Sequence, residues 1–295
     1  AGQVACWPTP GAGACGRASR RGCGARAQTE MPLRKAPGGM QHLFTPAGEV
    51  ALAATLLRRP LLAFDFDGTL APIVARPDDA RISQAVSARL KSLAAQLPVA
   101  IVTGRAVADV RGRLGFEPRF IVGSHGAEDG LDASAAAARA GALNPVRDLL
   151  RTRGADLAAA GVGIEDKGQS IALHYRLARE QARAPMLILE VLAQPGLSVQ
   201  VFAGKMVVNV MAPDAPDKAD AVHALVARCG AASAIFAGDD VNDEPVFVSA
   251  PPDWLTVRIG RDHPASRARY FLDSPAEMAM LLERMLVLLA RIDAS

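Results

Sequence analysis

The chain of 295 residues lacks long apolar runs and contains few cysteines. No stretch reaches the roughly 18 to 20 apolar residues that a membrane-spanning helix needs, so we expect a soluble protein with no membrane partner. Cys6, Cys15 and Cys23 are spaced by nine and eight residues, and the fourth cysteine, Cys229, lies far away. This spacing fits no zinc-binding pattern and favours a reducing, cytoplasmic location.

Positive charge is concentrated at the start of the chain. The whole chain carries +3, but residues 1–39 hold six Arg and Lys against one Glu, a net +5, which leaves −2 for the remainder. A slightly acidic body argues against a nucleic-acid partner. The start is also rich in Gly and Pro without apolar periodicity, so we predict that residues 1–44 form a disordered extension. Met31 and Met40 precede the organised part, and one interpretation is an over-extended translation.

The segment Phe64-Asp65-Phe66-Asp67-Gly68-Thr69 places two carboxylates two residues apart, after an apolar stretch and before a glycine. Where a buried strand meets a turn, both side chains can point at one site. One carboxylate can attack phosphorus, the other can protonate the leaving oxygen, and Mg²⁺ prefers such oxygen ligands. The motif therefore indicates phosphoryl transfer, and an acidic loop that arose by chance is the alternative.

Short, continuously apolar runs predict buried parallel strands. These runs cover residues 61–64, 99–102, 120–122 and 234–237. Residues 83–97 have apolar positions at helical spacing, as do residues 275–292, whose stripe we assign to core packing. Alternating strands and helices predict an α/β fold with a doubly wound parallel sheet, whose site lies at the carboxyl ends of the strands.

The region 129–206 breaks this alternation. Its pattern predicts a helix at 143–160, strands at 162–165 and 170–175, a helix at 181–194, and strands at 197–202 and 206–210. We interpret it as a smaller inserted α+β cap domain that covers the site and excludes water. The predicted domains are residues 1–44 as an extension, 45–128 and 207–295 as the catalytic core, and 129–206 as the cap.

Three further motifs lie at predicted strand ends or a helix start. Thr103-Gly104-Arg105 offers a hydroxyl and backbone N–H groups that suit a phosphate. The segment 238–244 carries four carboxylates, whose mutual repulsion a bound cation would relieve, although an exposed acidic loop is the alternative. Lys218 begins a predicted helix, and its ammonium could neutralise a nucleophile and a phosphoryl group.

Lysine is scarce, because only five of the 33 basic residues are Lys. Three of these, Lys167, Lys205 and Lys218, lie in the segments singled out by motif or cap position. The compact ammonium of lysine is not interchangeable with the planar guanidinium of arginine, so we interpret these as positions that need the smaller cation. Chance clustering is the other explanation.

In order, Asp65-Phe66-Asp67-Gly68-Thr69, Thr103-Gly104-Arg105, Lys218 and Gly238-Asp239-Asp240 resemble the four motifs of the haloacid dehalogenase (HAD) superfamily. The segments 123–128, 164–176, 204–205 and 238–244 narrow the resemblance to trehalose-6-phosphate phosphatases, over roughly residues 45–290. This resemblance implies a HAD-like core with a cap, and Mg²⁺-dependent hydrolysis of trehalose 6-phosphate through an aspartyl phosphate.

The resemblance also implies a role for individual residues. Asp65 would attack phosphorus, Asp67 would act as acid and then as base, and the implied catalytic set is Asp65, Asp67, Thr103 and Lys218. The implied Mg²⁺ ligands are Asp65, Asp67 through its backbone carbonyl, Asp239 and, as an outer or water-mediated partner, Asp243. The implied substrate contacts are Gly104, Arg105, His125, Glu165, Lys167, Ser170, His174, Lys205 and Asn209.

Some assignments have a structural alternative. We interpret Tyr175 as a packed strand residue, and for His125 a structural turn competes with a ligand role. The family pattern usually has Glu where this chain has Asn209, and Gly where it has Ala219. Asn209 therefore motivates a different sugar phosphate, such as sucrose or glucosylglycerol phosphate, as the alternative substrate.

Two further alternatives come from other classes. A catalytically silent sugar-phosphate-binding regulator would be expected to lack Asp65, Asp67 or Asp239, and all three are present. A phospho-receiver signalling domain needs neither the second carboxylate nor an inserted lid. We expect a monomer that acts on a small sugar phosphate, with a trehalose-6-phosphate synthase as a possible pathway partner.

Overall fold

The computed structural model describes residues 39–294 except Ala75 and Leu131. These residues form a seven-stranded parallel sheet in the order β1-β11-β10-β9-β2-β3-β4 and a four-stranded antiparallel sheet in the order β5-β6-β8-β7. The strands are β1 (Gln41–His42), β2 (Leu61–Phe64), β3 (Val99–Val102), β4 (Phe120–Val122), β5 (Gly163–Asp166), β6 (Ser170–His174), β7 (Gln200–Gly204), β8 (Val207–Met211), β9 (Ala234–Gly238), β10 (Leu255–Ile259) and β11 (Tyr270–Leu272).

The helices are α1 (Pro46–Leu56), α2 (Gln84–Ala94), α3 (Val107–Arg111), α4 (Ala133–Ala142), α5 (Asn144–Thr152), α6 (Gly154–Ala159), α7 (Ala184–Leu192), α8 (Lys218–Cys229), α9 (Glu244–Ser249) and α10 (Met278–Asp293). Helices α1, α2, α3 and α10 pack on one face of the large sheet and α8 and α9 on the other, whereas α5, α6 and α7 pack against the small sheet. Within the described part of the chain, no helix has both the length and the apolar character required to cross a membrane.

The side chains of β2 point alternately to the two faces of the large sheet, and helices cover both faces. Leu62 and Phe64 belong to the apolar cluster that includes α1, α2 and α10, whereas Leu61 and Ala63 belong to the cluster formed with α8 and α9. All four side chains are fully buried. The doubly wound parallel sheet is thereby confirmed, and the stripe of α10 packs in the core as predicted.

The cap has an apolar core of its own. Ile171 and Leu173 of β6 and Val208 and Val210 of β8 pack with Ile188 of α7. The opposite face of the same sheet carries the polar residues of the candidate site. Tyr175 belongs to this core, as its packing interpretation predicted.

The predicted cap boundary at residue 206 is wrong. Val207–Met211 forms β8, which pairs with both β6 and β7, so this strand belongs to the small sheet. The predicted boundary excluded the strand that the same cap pattern had placed at 206–210. We propose a cap that runs through Met211.

The predicted extension also ends too late. Residues 1–38 lie outside the described part, but Gln41–His42 pairs with β11 and Leu43 is fully buried. The predicted helix over 143–160 is divided, because α5 ends at Thr152 and α6 begins at Gly154. Helix α4 was not anticipated, since its Ala-rich sequence buries no residue and shows no apolar period.

Candidate active site

Asp65 and Asp239 follow adjacent strands at the carboxyl edge of the large sheet. Asp65 comes directly after β2, and its backbone N–H donates to Ala237 of β9 at 2.9 Å. Gly68 closes the turn after Asp67 with φ +79°, and a Cβ atom there would lie 2.1 Å from Oδ2 of Asp239. A glycine is required at this position because any side chain would overlap with the Asp239 carboxylate, and because the positive φ disfavours other residues.

Lys218 joins two of the buried carboxylates. Its Nζ donates to Oδ1 of Asp65 at 2.8 Å and to Oδ1 of Asp243 at 2.6 Å, and the lysine side chain is only 2% exposed. Asp217 and Asp220 form a capping box that starts α8 at Lys218. Burial alone would lower the pKa of Lys218, but the charges of Asp243 and Asp65 raise it above its ordinary value. The ammonium is therefore charged.

One lysine does not balance the acidic centre. Burial raises the pKa of Asp65 well above its usual value, and the charges of Asp243 and Asp239 raise it further against the opposing effect of Lys218. Burial likewise raises the pKa of Asp239. Both carboxylates favour an additional positive charge close by.

The donor set suits a hard divalent cation. Carboxylate oxygens of Asp65, Asp239 and Asp243 lie within 4.8 Å of one another, and Oδ1 of Asp239 is buried with no hydrogen-bond partner among the described residues. Asp243 is already engaged, because its Oδ2 accepts from the N–H groups of Asp239 and Asp240, each at 2.9 Å. These oxygen donors fit a hard divalent cation such as Mg²⁺, and the two N–H hydrogen bonds that Asp243 accepts hold the loop that carries Asp239.

Arg105 holds the second carboxylate of the first motif. Its Nε donates to Oδ2 of Asp67 and its Nη2 to Oδ1, both at 2.7 Å. This bidentate pair fixes the direction of the Asp67 carboxylate. The side chain of Asp67 thus lies outside the three-carboxylate group, which leaves its backbone carbonyl for the predicted metal contact.

The cap carries a charged group opposite these residues. His174 Nε2 lies 2.8 Å from Glu165 Oε2, and Lys167 Nζ lies 3.7 Å from the same carboxylate. The hydrogen bond with His174 lowers the pKa of Glu165. Lys167 Nζ also donates to the Gly104 carbonyl at 3.0 Å, and Lys205 Nζ donates to Oδ2 of Asp239 at 2.5 Å. Both lysines therefore connect the cap to the catalytic sheet.

His125 lies where the two sheets meet. Its φ is +58°, and its Nδ1 accepts from Asn242 Nδ2 at 3.1 Å. Burial lowers the pKa of His125, and Lys218 and Lys167 lower it further, against a hydrogen bond with Asn209. The lowered pKa favours the neutral imidazole, which has one donor and one acceptor nitrogen. His125 both shapes the turn and lines the cleft.

A cleft of about 530 Å³ brings most predicted site residues together. The predicted residues that line it are Asp65, Asp67, Gly104, Arg105, His125, Glu165, Lys167, His174, Lys205, Asn209, Lys218 and Asp239. The predicted residues that do not line it are Thr103, Ser170 and Asp243, all buried. Thr103 Oγ1 accepts from the Arg105 N–H at 3.2 Å, so this hydroxyl supports the motif's turn.

The cleft also contains residues that the sequence interpretation missed. Asp109, Arg176, Asp240 and Asn242 line it. Arg176 Nη1 donates to the Val74 carbonyl at 3.1 Å, so it reaches from the cap to the core. The separation of four residues between Arg105 and Asp109 was a usable signal, since it permits pairing within one turn.

Residues 63–275 match the family model described as trehalose-phosphatase, which is more than half of the chain. The chain belongs to the trehalose-phosphatase family. The resemblance drawn from the motifs is confirmed, and the matched residues include both the motifs of the catalytic sheet and the whole cap.

A curated relative agrees with the trehalose-phosphatase assignment. The trehalose-phosphate phosphatase of Mycobacterium marinum is 31% identical over 268 residues, which cover 86% of this chain and 66% of the relative. The chain thus spans just under two thirds of the length of that curated relative.

Two solved structures share the fold. The C-terminal domain of the trehalose-6-phosphate phosphatase of C. albicans has a TM-score of 0.70 at 22% identity, covering 86% of this chain and 99% of that domain. A Synechocystis sucrose-phosphatase in complex with sucrose and phosphate has a TM-score of 0.52 at 20% identity, covering 78% and 98%. These likenesses confirm a HAD-like core with a cap.

Proposed function

We propose that the chain hydrolyses trehalose 6-phosphate to trehalose and phosphate, with Mg²⁺ and through an aspartyl phosphate. The observation that carries this proposal is the position of Asp65 and Asp239 at adjacent strand ends, with Lys218 donating to Asp65, in a cleft that the charged residues of the cap also line. Membership of the trehalose-phosphatase family supports the substrate.

Asp65 is the proposed nucleophile. Lys218 donates to its Oδ1, which leaves Oδ2 for attack on phosphorus. The lysine also lies where it can neutralise an oxygen of the transferring group. Asp65, the backbone carbonyl of Asp67 and Asp239 are the proposed Mg²⁺ ligands, and the ion would offset charge on the phosphoryl oxygens.

Asp67 is the proposed acid and base. It gives a proton to the sugar oxygen as that bond breaks, and then takes a proton from the water that attacks the aspartyl phosphate. The proposed phosphate contacts are Thr103 and Gly104, whereas the guanidinium of Arg105 is engaged by Asp67 and Asp109. Asp65 is regenerated when the second step releases phosphate.

The cap supplies the proposed sugar contacts. Glu165, Lys167 and His174 offer charge-assisted hydrogen bonds, which suit a disaccharide rich in hydroxyl groups. Lys205, Asn209 and His125 extend this surface along the cleft. Ser170 is buried beside Met211 and acts only through the strand it begins. We also propose a cytoplasmic monomer that works beside a synthase.

The proposal is tested by phosphate release from the full chain with Mg²⁺ and with EDTA. The substrates are trehalose 6-phosphate, sucrose 6-phosphate, glucose 6-phosphate and p-nitrophenyl phosphate. We expect an EDTA-sensitive preference for trehalose 6-phosphate of about a hundredfold in kcat/KM, or about 2.7 kcal/mol. Equal release from all four would contradict the sugar assignment, and no release would favour the silent regulator.

A different sugar phosphate is the second candidate, and Asn209 favours it. Its Nδ2 is buried without a hydrogen-bond partner in the part of the chain that the structure describes. The amide of Asn209 stands where the family pattern usually has the carboxylate of Glu. A sugar that binds here would therefore need a different arrangement of hydroxyl groups. A preference for sucrose 6-phosphate in the same panel would support this candidate.

Metal binding gives a prediction independent of turnover. Mg²⁺ at about 100 times its Kd should stabilise the protein by about 2.7 kcal/mol, because it binds the folded site. The Asp239→Asn variant should lose this stabilisation, since a neutral amide replaces a direct ligand. Thermal unfolding with and without Mg²⁺ measures this stabilisation. The control is Asp253→Asn, because Asp253 pairs with Arg58 away from the site. An unchanged Mg²⁺ shift in Asp239→Asn would remove that residue from the metal site.

A further inference from the structure

Asp109 lies between two arginines near the cleft. Its Oδ2 accepts from Arg105 Nη1 at 2.8 Å, and its Oδ1 accepts from Arg113 Nε at 2.8 Å and from Arg113 Nη2. Burial alone would raise the pKa of Asp109, but the hydrogen bonds from Arg113 and Arg105 lower it. A fully charged carboxylate therefore connects the two guanidinium groups.

Arg113 is an anchor and not a surface charge. It is 8% exposed, and its Nη1 donates to the carbonyls of Asp78 at 2.7 Å, Pro77 at 3.3 Å and Ala80 at 3.4 Å. Because a buried guanidinium needs partners for its N–H groups, these backbone oxygens fix its position. Arg113 does not line the cleft.

Arg105 uses its donors in two directions. Nε and Nη2 face the two oxygens of Asp67, Nη1 faces Asp109, and Nη2 also donates to the Pro77 carbonyl at 2.9 Å. Since the guanidinium is planar, the contact with Asp109 sets the rotation of the whole fork. Without Asp109, the Nη1 side of the Arg105 guanidinium would lose the carboxylate that holds it.

We infer that Asp109 and Arg113 are positioning residues, which hold Arg105 and through it the carboxylate of Asp67 where the leaving oxygen receives its proton. The inference rests on the proposed function, because it assigns a purpose to residues behind the proposed acid. The two residues touch neither the nucleophile nor the metal ligands Asp65 and Asp239. Small errors in the placement of a proton donor lower the rate strongly, which is why such support is expected.

Leaving groups of different basicity test this arrangement. A sugar alkoxide must be protonated as it leaves, whereas p-nitrophenolate leaves without a proton. The variants are Asp109→Asn and Arg113→Met, and kcat/KM reports the steps up to the first transfer. We expect kcat/KM for trehalose 6-phosphate to fall about 30-fold and that for p-nitrophenyl phosphate to fall about threefold or less.

The two variants separate positioning from direct sugar contact. Asp109 lines the cleft and could touch the sugar, whereas Arg113 does not line it. If the two residues act by positioning Arg105, both variants must show the same selective loss of activity on trehalose 6-phosphate. Arg111→Met is the matched control, because it makes the same change as Arg113→Met two residues away, at an exposed side chain that pairs with Glu117. Equal losses for both substrates, or a loss confined to Asp109→Asn through KM, would overturn the inference.

A double-mutant cycle with Asp67→Asn keeps the test decisive if Arg113→Met folds poorly. Once the acid is absent, Asp109→Asn should cost less than about twofold further for trehalose 6-phosphate. If the effects of Asp109→Asn and Asp67→Asn were fully additive, the positioning role of Asp109 would be overturned. Failure of the proposed function is distinct, because the wild-type chain would then release no phosphate from either ester. If only the sugar assignment fails, any alkyl phosphate that the wild type hydrolyses replaces trehalose 6-phosphate.

Discussion

Asp65→Asn should reduce turnover of trehalose 6-phosphate by about 10⁴-fold or more, while the Kd of the sugar phosphate changes by about threefold or less. The amide has the size of the carboxyl group but cannot form the aspartyl phosphate. The binding residues of the cap are untouched by the change, because Glu165, Lys167 and His174 contact one another. Steady-state phosphate release and calorimetric binding measure the two quantities.

The control for this variant is Asp253→Asn, whose side chain pairs with Arg58 at the protein surface. It should retain wild-type turnover. A rapid-quench experiment adds a direct observation, since the wild type should accumulate protein-bound phosphate and Asp65→Asn should not. Turnover by Asp65→Asn above about 1% of the wild-type rate would contradict the covalent mechanism, because no nucleophile would remain at that position.

Lys218→Met should impair both activity and folding. The change leaves Asp65 and Asp243 buried without the ammonium that both contact, and such uncompensated burial costs about 3 to 5 kcal/mol of unfolding free energy. Turnover should also fall by about 10³-fold, because charge on the phosphoryl group loses its neutralising partner. Denaturant unfolding and phosphate release give the two values.

Lys91→Met is the matched control for this second variant, because Lys91 lies on an exposed face of α2. We expect its unfolding free energy to change by about 0.5 kcal/mol or less. The double variant Lys218→Met with Asp243→Asn should regain part of the lost stability, since one of the two unpaired charges is removed. Wild-type stability in Lys218→Met would show that the carboxylates do not depend on the lysine.

The sequence was sufficient for the residues whose role follows from strand ends. Asp65 and Asp239 follow short apolar runs, and parallel strands bring their carboxyl ends to one edge, so their proximity could be predicted. Lys218 was found because it starts a helix. The cap sheet was also recognised, since β5 and β6 are separated by a clear turn.

Other features depend on contacts that no local pattern specifies. The four-residue intervals from Arg105 to Asp109 and Arg113 are visible in the sequence, but the direction of each guanidinium depends on Asp109 together with the carbonyls of residues 77–80. Strand β1 was missed because two residues are too few to show a period. The last strand of the cap was predicted at 206–210, but the domain boundary was drawn at its first residue, because the sequence does not show where the chain returns to the catalytic core.

The separation of the two apolar cores has a consequence for how this family can diverge. The cap packs around Ile171 and Leu173, whereas the catalytic sheet packs around Leu62 and Phe64, and the two clusters share no buried residue. We therefore expect substitutions on the cleft-facing side of the cap, such as at Asn209, to leave undisturbed the packing that places Asp65. Substrate preference can then be adjusted through one sheet while the other keeps the catalytic residues in position.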